Sequence, residues 1–139
     1  MTNGREIDME TNADVTPSIA PNTTPRRIVE PDGAALDVFS LPTDSASLEE
    51  LFRDLFEHHW REIVFGPIIQ GAPWEIHADR PPTRIRLLDG YLTVAFGVTH
   101  FHVCIGENKG SRARPTSPEL AQLRRTSRAE LYRRRNTSC

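Results

Sequence analysis

The sequence predicts a small α+β domain in which an amphipathic helix packs on a three-stranded antiparallel meander, followed by a basic C-terminal helix. Two patterns support this fold class: apolar residues recur at three- and four-residue spacing after residue 47, and strand-like runs flank Asp89-Gly90. Composition also changes along the chain. It divides the sequence into a disordered tail (1–42), a single domain (43–134) and a frayed C-terminus (135–139).

The N-terminal tail is predicted from its composition. The first 38 residues contain no aromatic residue, four prolines, and mostly Thr, Asn, Asp and Ala. Such a segment cannot bury enough apolar surface to offset the conformational entropy that it would lose on ordering. We therefore expect residues 1–42 to be disordered.

The amphipathic helix is predicted over residues 47–63. Ser47 and Glu50 have the spacing of a capping box, in which each side chain satisfies a backbone N–H of the first turn. Gly66-Pro67 would stop the helix. Its apolar stripe consists of Leu48, Leu51, Phe52, Leu55, Phe56 and Ile63.

The meander is the clearest element of the sequence. Asp-Gly at 89–90 supplies the two positive φ values of a type I′ turn, so residues 84–88 and 91–96 form a hairpin. A second turn at Gly97-Val98 returns residues 99–105 as a third strand. In this register Leu87 and Val103 both lie opposite Leu92, which gives the sheet one apolar face.

The C-terminal helix is predicted over residues 117–134. Thr116 and Glu119 fit a capping box, and Pro118 suits the first turn. The apolar stripe of this helix is narrow, which predicts a protein partner or a missing C-terminal element that would cover it.

Three side chains of the third strand form the leading candidate site. Alternate residues of a strand share a face, so His100, His102 and Cys104 point the same way. Imidazole and thiolate groups bind transition metals such as zinc or iron. A fourth ligand would come from His77, Glu75 or Glu107. The alternatives are a hydrogen-bonded strand face with a buried Cys104, and a Cys–His pair for thiol chemistry.

The same register supplies a competing function. Arg84 and Arg86 share the face of His100 and His102, and arginines would repel a metal cation but would bind a phosphate or carboxylate. The alternative is an ordinary cationic sheet face in solvent.

Two further histidines lie in the predicted helix. His59 falls within the apolar stripe and His58 at its edge, and Glu62 lies three residues beyond His59. A histidine on a core face usually hydrogen-bonds within the core. If the helix covers the apolar face of the meander, His59 lies away from His100 and His102.

Charge is distributed unevenly along the chain. Residues 1–108 carry a net charge of −9, and residues 109–139 carry +7, mostly from arginine. An arginine cluster is an electrostatic footprint for nucleic acid, so the second functional hypothesis is an anion or nucleic-acid binding module. Nucleic acid is disfavoured because no helix-turn-helix, zinc finger or aromatic platform accompanies the arginines.

Several classes of protein are excluded by composition. No apolar stretch approaches the roughly 18–20 residues of a membrane-spanning helix, and the N-terminal residues lack the order of a secretory signal. Two cysteines cannot form a disulfide framework. The prediction is therefore a cytoplasmic binding or accessory protein.

Two segments are similar to a family of small, uncharacterised bacterial proteins. They are WREIVFGPIIQG at residues 60–71 and HFHVCIG at 100–106, the second following the pattern HFHxCIG. The similarity covers about residues 46–133 and implies no known activity or cofactor. Members of such a family continue beyond the last helix with strand-like sequence. The resemblance therefore implies either that this protein is naturally short or that its end is truncated or frame-shifted.

Overall fold

The computed structural model describes residues 24–135 and is mostly β. Over this range the strands form three antiparallel sheets of three, two and three strands, beside two short α-helices and one π-helical segment. The predicted α+β class, with a long helix on a meander and a long basic C-terminal helix, is therefore wrong. Residues 1–23 of the expected tail, and 136–139 of the expected frayed end, lie outside the described residues.

The elements follow one another in a simple order. The strands are β1 (Arg26–Val29), β2 (Ala35–Ser40), β3 (Ile68–Ile69), β4 (Ala72–Pro73), β5 (Arg84–Leu88), β6 (Tyr91–Phe96), β7 (Thr99–Cys104) and β8 (Glu130–Arg134). The helical segments are α1 (Ser45–Arg53), a π-helical segment (Asp54–His58) and α2 (Pro118–Arg124). The sheets have the strand orders β1-β2-β8, β3-β4 and β5-β6-β7.

The pairings predicted for the meander of β5, β6 and β7 are confirmed. Asp89 and Gly90 have φ values of 48° and 80°, the left-handed pair that a type I′ turn requires. Leu87 and Val103 both lie opposite Leu92, on either side of it. The register was predictable because a two-residue turn leaves the flanking strands little freedom to slip.

Helix α1 differs from the predicted helix over 47–63 at both ends. It begins earlier because the Asp44 carboxylate, rather than the Ser47 hydroxyl, forms the cap and accepts the Ser47 N–H at 2.9 Å. It covers nine residues before the π-helical segment begins. The chain then leaves the helix and brings Phe65 back to Phe56. The two ring centroids lie 5.0 Å apart, whereas nine residues of continued helix would separate these positions by about 13.5 Å along the axis.

The predicted basic helix over 117–134 is replaced by a short helix and a strand. The Ser117 hydroxyl, rather than that of Thr116, caps α2 by accepting the Leu120 N–H at 3.2 Å. Residues 130–134 then pair with β2 as β8. The apolar stripe of the predicted helix is narrow because residues 130–134 form this strand. The partner strand β2 lies near the other end of the chain, so no local periodicity in the sequence reveals the pairing.

Strands β1 and β2 lie within the segment predicted to be disordered. The Asp32 carboxylate closes the turn between them by accepting the Ala34 N–H at 2.9 Å. Val38 of β2 is buried, and β2 is the central strand between β1 and β8. The predicted disorder is therefore wrong for residues 26–40. Pairing with β8 supplies burial that the composition of the segment does not reveal.

Two apolar clusters hold α1 against the meander. Leu48, Leu92 and Ile105 pack together with at most 2% of each residue exposed, and Ala129 packs against them. Beside this core lies a phenylalanine cluster whose contacting ring centroids are 5.0–6.2 Å apart, formed by Phe52, Phe56, Phe65, Phe96 and Phe101.

A buried polar network joins the loop after β7 to the meander. Asn108, 6% exposed, donates to the Asp89 carboxylate at 2.9 Å and to the Asp89 carbonyl at 3.1 Å. Its amide oxygen accepts hydrogen bonds from the Thr116 hydroxyl at 3.1 Å and the Arg124 guanidinium at 3.0 Å. Because these groups satisfy one another, the network fixes α2 relative to the β5–β6 turn.

Candidate ligand-binding face of the meander

The face of the meander that points away from the apolar core carries polar side chains. Read across β5, β6 and β7, its two adjacent rows are Arg84, Ala95 and His100, then Arg86, Thr93 and His102. Both arginines and both histidines are exposed. We call this surface the outer face. Adjacent strands lie about 4.8 Å apart, so side chains from β5 and β7 flank β6 on either side.

The two histidines of the outer face lie next to each other. The ring centroids of His100 and His102 are 5.1 Å apart, with an angle of 70° between the rings. A 2.7 Å hydrogen bond links the Thr93 hydroxyl and His102 Nδ1. This bond fixes the His102 ring and leaves Nε2 as the nitrogen available to a ligand.

Cys104 does not join the two histidines. Cys104 is only 5% exposed, and its thiol donates a weak hydrogen bond to the Gly106 carbonyl at 3.7 Å. His100 and His102, by contrast, are exposed. Among residues 24–135, no three His, Cys, Asp or Glu side chains form a group that could hold one metal ion. The metal assignment to His100, His102 and Cys104 stays a prediction.

The residues considered as a fourth ligand occupy different parts of the structure. His77 and His100 line one cavity of about 430 Å³, together with Asp79 and Arg80. Glu107 lies in the loop after β7, where its carboxylate is 3.6 Å from the Lys109 ammonium.

The arginines of β5 differ from most other arginines of the protein. Within the part of the chain that the structure describes, neither Arg84 nor Arg86 forms an ion pair or a side-chain hydrogen bond. No acidic residue shares the two rows of the outer face. The positive charge of this face is therefore not neutralised within the face.

His58 and His59 lie away from the outer face. His58 Nδ1 is 3.4 Å from the Asp54 carboxylate, and His59 Nδ1 is 3.1 Å from the Glu62 carboxylate. The His59 side chain is 47% exposed, so its predicted place in the apolar stripe is wrong. The reason is that the helix ends at His58.

A second arginine-bearing face, on the β1-β2-β8 sheet, has a carboxylate at its centre. Asp37 lies between Arg27 of β1 and Arg133 of β8 in the register, and its side chain is 7% exposed. Its oxygens are 3.5–3.6 Å from guanidinium nitrogens of Arg27, Arg133 and Arg135. We call these four residues the Asp37 cluster. Sequence reasoning missed it because Asp37 falls in the expected tail.

Most of the arginines expected on a basic helix are therefore engaged in structural contacts. Arg124 donates to Asn108, Arg128 to Glu130 and Arg134 to Asp32. Arg133 and Arg135 lie beside Asp37. No continuous basic helix remains in residues 24–135 to support binding of nucleic acid.

Fold and site together define a small, mostly β protein with two short helices and an uncompensated cationic sheet face. The chain belongs to a family of unknown function, DUF7676, whose model matches residues 25–139. This confirms the resemblance to an uncharacterised family, and the match begins one residue before β1. No curated protein and no solved structure matches the chain. Among the described residues, none of the helices is long and apolar enough to cross a membrane.

Proposed function

We propose that this protein is a binding or accessory protein that takes a small oxyanion, a phosphate or carboxylate group, on the outer face of the meander. One observation carries the proposal: Arg84 and Arg86 have no acidic partner within residues 24–135, and they share a sheet face with His100 and His102. The proposal keeps the cytoplasmic location predicted from the sequence.

The donors of the outer face suit an oxyanion. Each guanidinium presents a planar fork of N–H groups that matches two oxygens of a phosphate or carboxylate. When the Thr93 hydroxyl donates to His102 Nδ1, the proton of that neutral imidazole is on Nε2, which then becomes a further donor. The anion would lie over β6, between the arginines of β5 and the histidines of β7.

Comparison of the outer face with the Asp37 cluster supports the proposed position of the anion. There a carboxylate of the protein already holds three guanidinium groups. A free anion would have to compete with Asp37 at that site, whereas no protein carboxylate occupies the outer face. We therefore place the anion on the meander and not on the β1-β2-β8 sheet.

Titration with inorganic phosphate, followed by calorimetry and by NMR of the histidine side chains, tests the proposal. We expect the signals of His100 and His102 to shift, and Arg84→Gln/Arg86→Gln to weaken binding at least roughly tenfold, because charge-assisted hydrogen bonds contribute about 1.5–3 kcal/mol each. The matched control is Arg112→Gln/Arg125→Gln, which removes the same charge from other exposed positions. Equal loss in both variants would reject a site on the outer face.

A transition metal such as zinc or iron is the second candidate ligand. The 5.1 Å between the His100 and His102 rings, and the hydrogen bond that orients His102, suit two ligands of one ion. This requires His102 Nδ1 to carry the proton, so that Nε2 offers its lone pair. Cys104 would have to turn away from Gly106 to join them.

Elemental analysis of protein purified without chelator or affinity metal distinguishes the two ligands. About one zinc or iron per chain, lost in His100→Ala/His102→Ala and kept in Arg84→Gln/Arg86→Gln, would favour the metal. A metal-free protein whose phosphate binding depends on the two arginines would favour the anion.

A further inference from the structure

The outer face of the meander has a third row of side chains, next to the turn between β5 and β6. Beyond the row that begins with Arg86, the register places Leu88 opposite Tyr91 and Tyr91 opposite Cys104. Leu88 is 60% exposed and Tyr91 is half-buried, whereas Cys104 is buried. We call Leu88 and Tyr91 the apolar end of the outer face.

An open cavity of about 360 Å³ lies at the apolar end. The residues that line it are Leu88, Tyr91, Thr93 and His102. Sites for small molecules are typically cavities of roughly 300–1,000 Å³ that combine apolar and aromatic walls with a few polar groups. None of the four lining residues carries a carboxylate, so this cavity would not repel an anion.

The cavity and the anion donors share two residues. Thr93 and His102 line the cavity, and they also lie in one row with Arg86. Alternate residues of a strand are roughly 6.7 Å apart, so neighbouring rows can hold two parts of one small molecule. A group bonded to an anion beside Arg86 can therefore contact the apolar end.

We propose that the ligand of the outer face is an amphipathic anion, in which a phosphate or carboxylate group is attached to an aromatic ring. This inference rests on the anion site proposed above and adds the part of the ligand that inorganic phosphate lacks. Arg86 and His102 hold the charged group, and the ring lies in the cavity against Leu88 and Tyr91. Tyr91 favours a ring over an aliphatic chain, because aromatic rings gain from packing on one another.

The opposite end of the outer face suits this ligand less well. His100 lines a different cavity, of about 430 Å³, together with Val98 and Asp79. The Asp79 carboxylate, which lies 3.1 Å from the Arg80 guanidinium, would repel an anion held beside His100. We therefore place the ring at the apolar end.

Calorimetric titration of the full chain with phenyl phosphate and with methyl phosphate tests the proposal. The two esters carry the same charge at pH 8 and differ in the ring. We expect phenyl phosphate to bind at least roughly tenfold more tightly, because its ring leaves water for an apolar surface. Benzoate and acetate form the corresponding pair for a carboxylate, and a gain from the ring in either pair supports the proposal.

Leu88→Ser is the first variant. It should remove most of the preference for phenyl phosphate and leave the affinity for methyl phosphate unchanged. Circular dichroism should show an unchanged fold, because position 88 is 60% exposed. The matched control is Val98→Ser, which removes an apolar side chain from a 97% exposed position at the other cavity. It should keep the preference.

Two substitutions at Tyr91 test the contact with the ring. Tyr91→Phe keeps an aromatic side chain and should prefer phenyl phosphate as the native protein does. Tyr91→Thr, which also suits a β-strand, should lose most of the preference. Nuclear Overhauser effects from the phenyl protons to the Leu88 methyl groups would locate the ring directly.

Two results would overturn the proposal and leave the anion site in place. One is equal affinity within both pairs of ligands, with binding that still depends on Arg84 and Arg86. The other is a preference that is lost in Val98→Ser and kept in Leu88→Ser, which would place the ring at the opposite end. If none of the four ligands bound through the two arginines, the anion site would fail together with this inference.

Discussion

The two three-stranded sheets of this protein are assembled differently and use arginine differently. The meander joins neighbouring strands through two-residue turns, whereas the β1-β2-β8 sheet pairs strands from opposite ends of the described chain. On the second sheet three arginines surround Asp37. On the meander Arg84 and Arg86 have no acidic partner among the described residues.

This contrast shows that the number of arginines does not identify a binding site. The arginines nearest the C-terminus dominate the charge pattern, yet those of β8 pair with Asp37 and Asp32. The two arginines of β5 contribute little to the pattern, yet no carboxylate among the described residues neutralises their charge. Function depends on which carboxylates the fold brings near each guanidinium.

The largest effect is expected in the core of the meander. Leu92 is fully buried against Leu48 and Ile105, so Leu92→Ala should lower the free energy of unfolding by about 2–5 kcal/mol. Urea denaturation measures this change. Leu88→Ala, at a 60% exposed position of the same sheet, should change stability by less than about 0.5 kcal/mol. Equal effects would contradict the assignment of the core face.

The next effect is expected at the Asp37 cluster. Asp37→Asn keeps the shape of the side chain but leaves three guanidinium groups without their carboxylate. We expect a loss of about 1–3 kcal/mol, since Asp37 is buried and the arginines remain partly hydrated. Denaturation at high salt should recover part of this loss, because salt screens the repulsion among the arginines. If the loss of unfolding free energy did not depend on salt, packing rather than charge would be its cause.

A smaller effect on stability is expected when arginines are removed from each of the two arginine-bearing faces. Arg133→Gln/Arg135→Gln should lower the free energy of unfolding by up to about 1 kcal/mol, because both side chains are exposed and each ion pair is weak. Arg84→Gln/Arg86→Gln should leave it within about 0.5 kcal/mol of the native value. Thermal unfolding of both variants at low salt measures the difference. If the meander variant were the less stable one, its arginines would be structural.

The smallest effect concerns pH and Glu130 of β8. The Tyr132 hydroxyl, which donates to the carboxylate at 2.6 Å, and then Arg128 hold the pKa of Glu130 below its usual value. A carboxyl group whose pKa is lowered on folding stabilises the protein above its unfolded pKa, about 4.3. That contribution disappears as the pH falls through the folded pKa.

Tyr132→Phe should therefore raise the pKa of Glu130 and flatten the loss of stability in acid. NMR titration of the Glu130 carboxyl group measures the pKa, and denaturation at successively lower pH measures the stability. Tyr91→Phe, on the meander, is the control and should leave the Glu130 titration unchanged. A Glu130 pKa that is unaffected by loss of the Tyr132 hydroxyl would contradict this assignment.

The candidate site was predictable only in part. The shared face of Arg84, Arg86, His100 and His102 follows from strand periodicity and the type I′ turn, both of which are local. The same periodicity placed Cys104 with the histidines, but its thiol is buried beside Gly106. Burial depends on the segments that surround the end of β7, including the Thr126 N–H that donates to the Cys104 carbonyl.

The sequence by itself determined the meander, its register and its apolar face, because two-residue turns and alternating side chains act over a few residues. The tertiary structure decided what lies beyond that range. Residues 26–40 are ordered through pairing with β8. The three arginines at 133–135 are neutralised by Asp37 and Asp32, and Phe56, just beyond the first helix, packs against Phe96 and Phe101 of the meander. Each of these outcomes depends on a partner distant in the sequence, and no local pattern encodes such a partner.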